Sequence, residues 1–159
     1  ADGGGGAGGS RWREAVGILE KARNEGHCGL LQTKEYNLVL EACANAQPAP
    51  RVAEALGQLS EMVETEVPLD AQTFANCLSC LAKAGAAAQA RDLLASMERP
   101  SNVHLNMCLN AHANAQPAAE WRAAVALFRE MAAPDAISKA TVLKAIRGAG
   151  DPAARPFVL

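Results

Sequence analysis

The string Ala44-Asn45-Ala46-Gln47-Pro48-Ala49 returns unchanged as Ala113-Asn114-Ala115-Gln116-Pro117-Ala118, 69 residues later. Two further landmarks keep that offset: Asn37 with Asn106, and Glu61-Met62 with Glu130-Met131. A chain that copies itself must bury the apolar face of each copy on its neighbours. The offset of 69 is twice about 34.5, so a half-spaced copy belongs in between. Leu78 to Gly85 (LSCLAKAG) fills that place against Leu40 to Gln47 (LEACANAQ), and Leu143 to Gly150 (LKAIRGAG) continues the series. Aligned so, Leu40, Leu78, Leu109 and Leu143 form one column and Ala46, Ala84, Ala115 and Ala149 another. Leucine fills a core while alanine lets a neighbouring helix come close, as stacked repeats require.

The 159 residues are enough for one compact domain or a short repeat array. Alanine makes up about a fifth of them, and aromatic residues only 4%. Few rings and few β-branched residues argue for closely stacked helices and against a β-sandwich or barrel. The periodicity predicts eight helices, near 11–25, 33–46, 50–66, 71–84, 86–98, 103–115, 118–133 and 136–149. Thr33, Ser101 or Asn102, and Asp135 stand where N-caps belong. Pro48, Pro50 and Pro117 fall in the turns between helices, where a helix start tolerates proline. Arg11-Trp12-Arg13-Glu14-Ala15-Val16 resembles Glu120-Trp121-Arg122-Ala123-Ala124-Val125, so the array begins and ends mid-repeat. The fold class is therefore all-α, an α-solenoid of stacked antiparallel helix pairs occupying residues 11–150.

The ends read differently. Residues 1–10 (ADGGGGAGGS) form a glycine-rich leader with almost no side chain to bury, expected to be flexible. It is not a phosphate-cradling loop, which needs a preceding strand and a Lys-Ser/Thr pair. A first residue of Ala1 reads as a processed or truncated product, with any targeting peptide already removed. Residues 151–159 carry Pro152 and Pro156 and read as a short irregular tail. No apolar run approaches the ~18 residues of a membrane span, and no membrane insertion is expected. The net charge of −2 excludes a strongly basic nucleic-acid binder, though not a locally basic groove. Five unremarkably spaced cysteines favour a reducing compartment over a secreted disulfide framework.

The landmark residues resemble those of the pentatricopeptide repeat family. Tyr36-Asn37-Leu38-Val39-Leu40, a second helix ending Glu61-Met62, and then Pro68-Leu69-Asp70 follow its motif. Leu105-Asn106-Met107-Cys108-Leu109, Ala124, Leu127, Glu130-Met131 and Pro134-Asp135 repeat it, and Lys83-Ala84-Gly85, Ala90, Leu93-Leu94 and Met97 supply a shorter middle copy. The family's boundaries then give a partial repeat at 11–32, repeats at 33–70, 71–101 and 102–135, and a partial repeat at 136–150. Tetratricopeptide repeats share the period but hold closer to 34 residues and favour other landmarks.

The resemblance implies sequence-selective binding of single-stranded RNA, one base per repeat, in RNA processing, stability or translation. It places the protein in an organelle, the chloroplast ahead of the mitochondrion. In that family the base readers are the residue after the Tyr and the last residue of the repeat. They map to Asn37 with Asp70, Ala75 with Ser101, and Asn106 with Asp135. The Asn–Asp combination resembles the uracil-preferring code. Val103 and Ile137 would sandwich the third base, whereas the matching positions around the first pair are Lys34 and Gln72, polar residues that clamp poorly. Ala75 has no hydrogen-bonding group with which to read an edge. Of the three positions for a phosphate-contacting lysine, held by Asn45, Lys83 and Asn114, only Lys83 is a cation.

Plainer readings stand beside these. Asn37 and Asn106 also suit local hydrogen bonding at a helix start, and Asp70 and Asp135 suit ordinary N-caps. Cys77 and Cys80 form a CxxC with no second pair or His at metal spacing, so they read as buried core. His104 and His112 lie eight apart with no carboxylate partner evident, and no metal site is expected. Trp12 and Trp121 begin equivalent helices and read as packing residues. No Ser/His/Asp set, deaminase motif or acidic nuclease cluster is present, so the chain does not read as an enzyme, and neither cofactor nor small-molecule substrate is expected. Two functions stay open. One is RNA binding; the other is a structural subunit of a larger organellar assembly (a ribosome, or a photosynthetic or respiratory complex) whose repeat surface meets other proteins.

Overall fold

A computed structural model of the chain describes residues 8–157. Among them every regular element is helical: α1 (Gly8–Asn24), α2 (Thr33–Ala44), α3 (Val52–Glu64), α4 (Ala71–Ala84), α5 (Ala87–Ala95), α6 (Asn102–Asn114), α7 (Trp121–Glu130) and α8 (Ala136–Gly148). Short 3-10 turns occupy Cys28–Leu30 and Pro152–Phe157. The chain is an all-α helical repeat protein. The first helix begins inside the stretch read as a leader, at Gly8, and residues 1–7 of that stretch lie outside the described residues. The tail is likewise more regular than expected, since Pro152–Phe157 makes a 3-10 turn packed on α8. Contacts divide the chain into two compact units, residues 1–80 and 81–159, so the division falls within α4 and not at a repeat boundary.

In the first unit α1 packs on α2 and α2 on α3. The reason is visible in α2, where Tyr36, Val39-Leu40 and Cys43-Ala44 recur at helical spacing and are all buried. Met62 from α3 and Leu78 from α4 are completely buried too. Across this core Glu61 accepts a hydrogen bond from the Tyr36 hydroxyl at 3.3 Å and pairs with Arg23 of α1. Trp12 is buried as expected, with the Arg51 guanidinium 4.0 Å above its ring.

In the second unit α5 packs on α6, and α6, α7 and α8 pack on one another. Leu109, Ala124 and Ala145 lie at 0% exposure in a core completed by Trp121, Val142, Ile146 and Ala154. The Trp121 indole donates to Asp151 at 3.0 Å and its ring meets Phe157 at 5.2 Å, so this tryptophan also packs rather than faces solvent. Gly85 ends α4 with a positive φ of 66°. A side chain there would strike the Asn114 carbonyl, so the turn requires glycine.

The repeat is retained in detail. The Arg51 N–H donates to the Cys43 carbonyl and the Glu120 N–H to the His112 carbonyl, each at 2.9 Å and 69 residues apart. Both loops contain a cis peptide, Gln47–Pro48 and Gln116–Pro117. These loops also push the following helices later than expected: α3 starts at Val52 and α7 at Trp121, so none of the three prolines stands at a first helical position. The alanine column holds only in part. Ala46 and Ala115 turn inward and are buried, but Ala84 is exposed because α4 runs on to Gly85.

Candidate nucleic-acid interface

Each Asn–Asp pair singled out by the repeat is assembled around a hydroxyl three residues after the Asp. In the first unit Asn37 Nδ2 donates to Asp70 Oδ1 at 3.1 Å, while Thr73 Oγ1 donates to Asn37 Oδ1 at 2.8 Å. The Thr73 N–H donates to Asp70 Oδ1 at 2.8 Å, and the Asp70 N–H returns to Thr73 Oγ1 at 3.2 Å. In the second unit Asn106 Nδ2 lies 3.2 Å from both Asp135 oxygens, and Ser138 Oγ donates to Asn106 Oδ1 at 2.7 Å. The Ser138 N–H donates to Asp135 Oδ1 at 2.8 Å, with the Asp135 N–H 3.2 Å from Ser138 Oγ. The two networks match group for group.

Local sequence explains the arrangement. Asp135 is the N-cap of α8, and Asp70 precedes α4 and accepts the same N–H in the same way. Asp with a hydroxyl residue three positions on is a reciprocal capping box. That hydroxyl is fully buried in both units, and it reaches across to the Asn on the preceding first helix. The hydroxyl oxygen lies 2.7–2.8 Å from Asn Oδ1 and 2.9 Å from Asp Oδ1 in the two units, and the Asn Nδ2 faces the carboxylate. An amide N–H and a carboxylate oxygen are thereby presented side by side.

Both carboxyls are held below their ordinary range. At Asp70 burial pushes upward, but the Thr73 N–H, the Asn37 amide, the Thr73 hydroxyl and the Gln72 N–H outweigh it. At Asp135 the Ser138 N–H and hydroxyl lower it most, with Asn106 and the Ile137 N–H adding to them against a burial effect. Both groups are anions at neutral pH. They accept hydrogen bonds and repel phosphate.

The surroundings differ. Val103 and Ile137 stand 55% and 63% exposed beside the second pair, apolar faces left open to solvent. Beside the first pair Lys34 and Gln72 are exposed, and Gln72 is engaged with Asn76 at 2.8 Å. A cavity of about 520 Å³ opens there, lined by Asn37 and Asp70 together with Lys34, Leu38, Glu41 and Gln72. Asn76 further ties α4 to α2 by donating to the Asn37 carbonyl at 3.0 Å. Lys83 is exposed in the last turn of α4, beside Ala82, whose carbonyl accepts from Asn114 at 2.9 Å. It therefore neighbours the end of α6, two turns from Asn106.

Several expectations are corrected here. Thr33 is the first residue of α2 rather than its cap, a position held by Gln32, and its hydroxyl donates to the Pro68 carbonyl at 2.6 Å. Asn102 likewise opens α6 and donates to the Ala133 carbonyl at 2.8 Å, while Ser101 is the cap, with His104 Nδ1 2.8 Å from its hydroxyl. His112 does have a carboxylate partner: its buried Nδ1 lies 2.9 Å from Glu120 Oε2. The loop after α6 brings that residue back, which spacing alone does not reveal. Thr73 and Ser138 were missed as site residues, although their place three after Asp was a usable signal. Lys144 was missed as well; its Nζ lies 2.6 Å from Asn114 Oδ1 and 3.2 Å from Asn110 Oδ1.

Cys43, Cys77, Cys80 and Cys108 are buried, and burial first, then the nearby Cys80 and Cys43 thiols, pushes Cys77 up to about 12. No described group of three or more His, Cys, Asp or Glu side chains could hold a metal ion, and no described helix is long and apolar enough to cross a membrane. Compared with known proteins, the chain matches no family model and no curated protein.

Proposed function

We propose that this chain is a non-catalytic RNA-binding repeat protein of the pentatricopeptide type, which contacts single-stranded organellar RNA and prefers uridine. The observation that carries this reading is the Asn–Asp–hydroxyl network built twice in the same form. A fixed amide N–H beside a fixed carboxylate is a donor–acceptor pair that complements a carbonyl oxygen and the N3–H of uracil. Asn106 donates to the carbonyl, Asp135 accepts from N3–H, and Val103 with Ile137 covers the two faces of the ring. Exposed aliphatic side chains flanking a polar pair suit a stacked base better than open water.

Fluorescence polarisation with labelled ten-nucleotide uridine and adenosine oligomers tests this. Uridine should bind more tightly, with the preference lost in Asn106→Ala. Equal, weak binding to both oligomers, unchanged by that substitution, contradicts it.

A second reading is favoured by a different observation. Between α5, α6 and α7 lies a groove of about 610 Å³ lined by Leu94, Leu105, Leu127 and Met131. A surface of that kind suits a protein contact, and the networks above also serve as plain helix caps joining successive repeats. On this reading the chain is a scaffold subunit of a larger organellar complex. Copurification of a fixed set of proteins without RNA would favour it.

A further inference from the structure

We propose that Lys144, on α8, is the backbone-phosphate contact of the second reader, in the place expected of Lys83. The proposal rests on the RNA reading above and adds a residue and a ligand group to it. The ammonium of Lys144 donates to the Asn110 amide at 3.2 Å and the Asn114 amide at 2.6 Å. These asparagines lie one and two turns beyond Asn106 on the same face of α6, about 6 and 12 Å along its axis. Asn114 cannot turn its amide round, because its Nδ2 is anchored on the Ala82 carbonyl at 2.9 Å, so its oxygen faces the lysine.

Two neutral amides hold the ammonium in place without cancelling its charge, and a third N–H remains for an anion. A positioned cation a turn or two below a base-reading pair lies within the span from a base edge to the phosphates flanking its sugar. The chemistry is that of a phosphodiester oxygen in single-stranded RNA. The first unit lacks the device. Glu41 occupies the position of Asn110 and lines the same cavity as Asn37 and Asp70, and Ser79 occupies that of Lys144. A phosphate there meets a second carboxylate, with Lys34 as the cation among the residues lining the cavity.

The test is a salt titration of full-length protein with the uridine and adenosine oligomers, comparing wild type with Lys144→Met, Lys144→Arg, Lys83→Ala and Asn106→Ala. Loss of one phosphate contact should lower the slope of log K against log salt by about 0.7. Lys144→Met should show that loss and weaken both oligomers alike, and Lys144→Arg should restore the slope. Asn106→Ala should keep the slope and lose the uridine preference. Asn110→Asp leaves the lysine in place but sets a carboxylate against it, and should lower the slope too. An unchanged slope in Lys144→Met and Asn110→Asp, or a slope lowered only in Lys83→Ala, overturns the assignment while leaving a uridine preference intact. Wild-type protein that binds neither oligomer overturns the RNA reading and this proposal together.

Discussion

The first and second units carry the same polar network in different settings. Asn37, Asp70 and Thr73 repeat the distances of Asn106, Asp135 and Ser138 to within a few tenths of an ångström. Around them Lys34, Gln72 and Glu41 give the first site polar walls carrying both charges, whereas Val103, Ile137 and Lys144 give the second apolar walls and a cation held by two amides. The lesson is that the network belongs to the fold, since it caps a helix and ties it to its neighbour. In the proposed RNA reading, what surrounds the network decides binding.

The largest expected effects test whether the two scaffolds are equivalent. Leu40 and Leu109 occupy the same column and are both at 0% exposure. Leu40→Ala and Leu109→Ala should each cost about 2–5 kcal/mol by urea unfolding. Costs that differ by more than about 2 kcal/mol would mean that one unit is far better packed than the other. Next come the hydroxyls. Thr73→Val and Ser138→Ala each remove a buried donor and leave an amide oxygen without its partner, a loss of about 1–3 kcal/mol. Similar values at both sites support the shared structural role; a negligible cost at either would deny it there.

A smaller effect appears in acid. Asp70 and Asp135 have folded pKa values below those of the unfolded chain. Their contribution is therefore complete above the unfolded value, ~3.9, and disappears as pH falls through the lower folded value. Stability attributable to them should be level from pH 8 to 5 and decline only below about pH 4, and Asp70→Asn with Asp135→Asn should flatten that decline. Helical circular dichroism against pH reads this directly. An acid decline that the two substitutions leave unchanged would show that the carboxyls are not held low.

Much of this fold was legible because helix starts and stops leave side-chain signatures. The expected span 71–84 matches α4, which Asp70 precedes and Gly85 follows, and the 69-residue copy aligned the sequences of α2 and α6. What spacing could not convey was contact made by a returning chain. Glu120 reaches His112 only because the loop after α6 folds back, and Ala84 is exposed only because α4 continues where α2 and α6 stop. The site was half legible. The Asn–Asp pairs followed from the family resemblance, but Thr73 and Ser138 act across two helices, and Lys144 lies on a helix that the third repeat's own boundaries leave out.

The central claim is that equal networks in unequal settings bind unequally. The affinity of a uridine oligomer for Asn37→Ala and Asn106→Ala, measured side by side at one salt concentration, tests it most directly. Asn106→Ala should cost about 1–2 kcal/mol, the loss of a hydrogen bond to a charged or polar group, and Asn37→Ala measurably less. Equal losses in the two variants, or the larger loss at Asn37, would contradict the account.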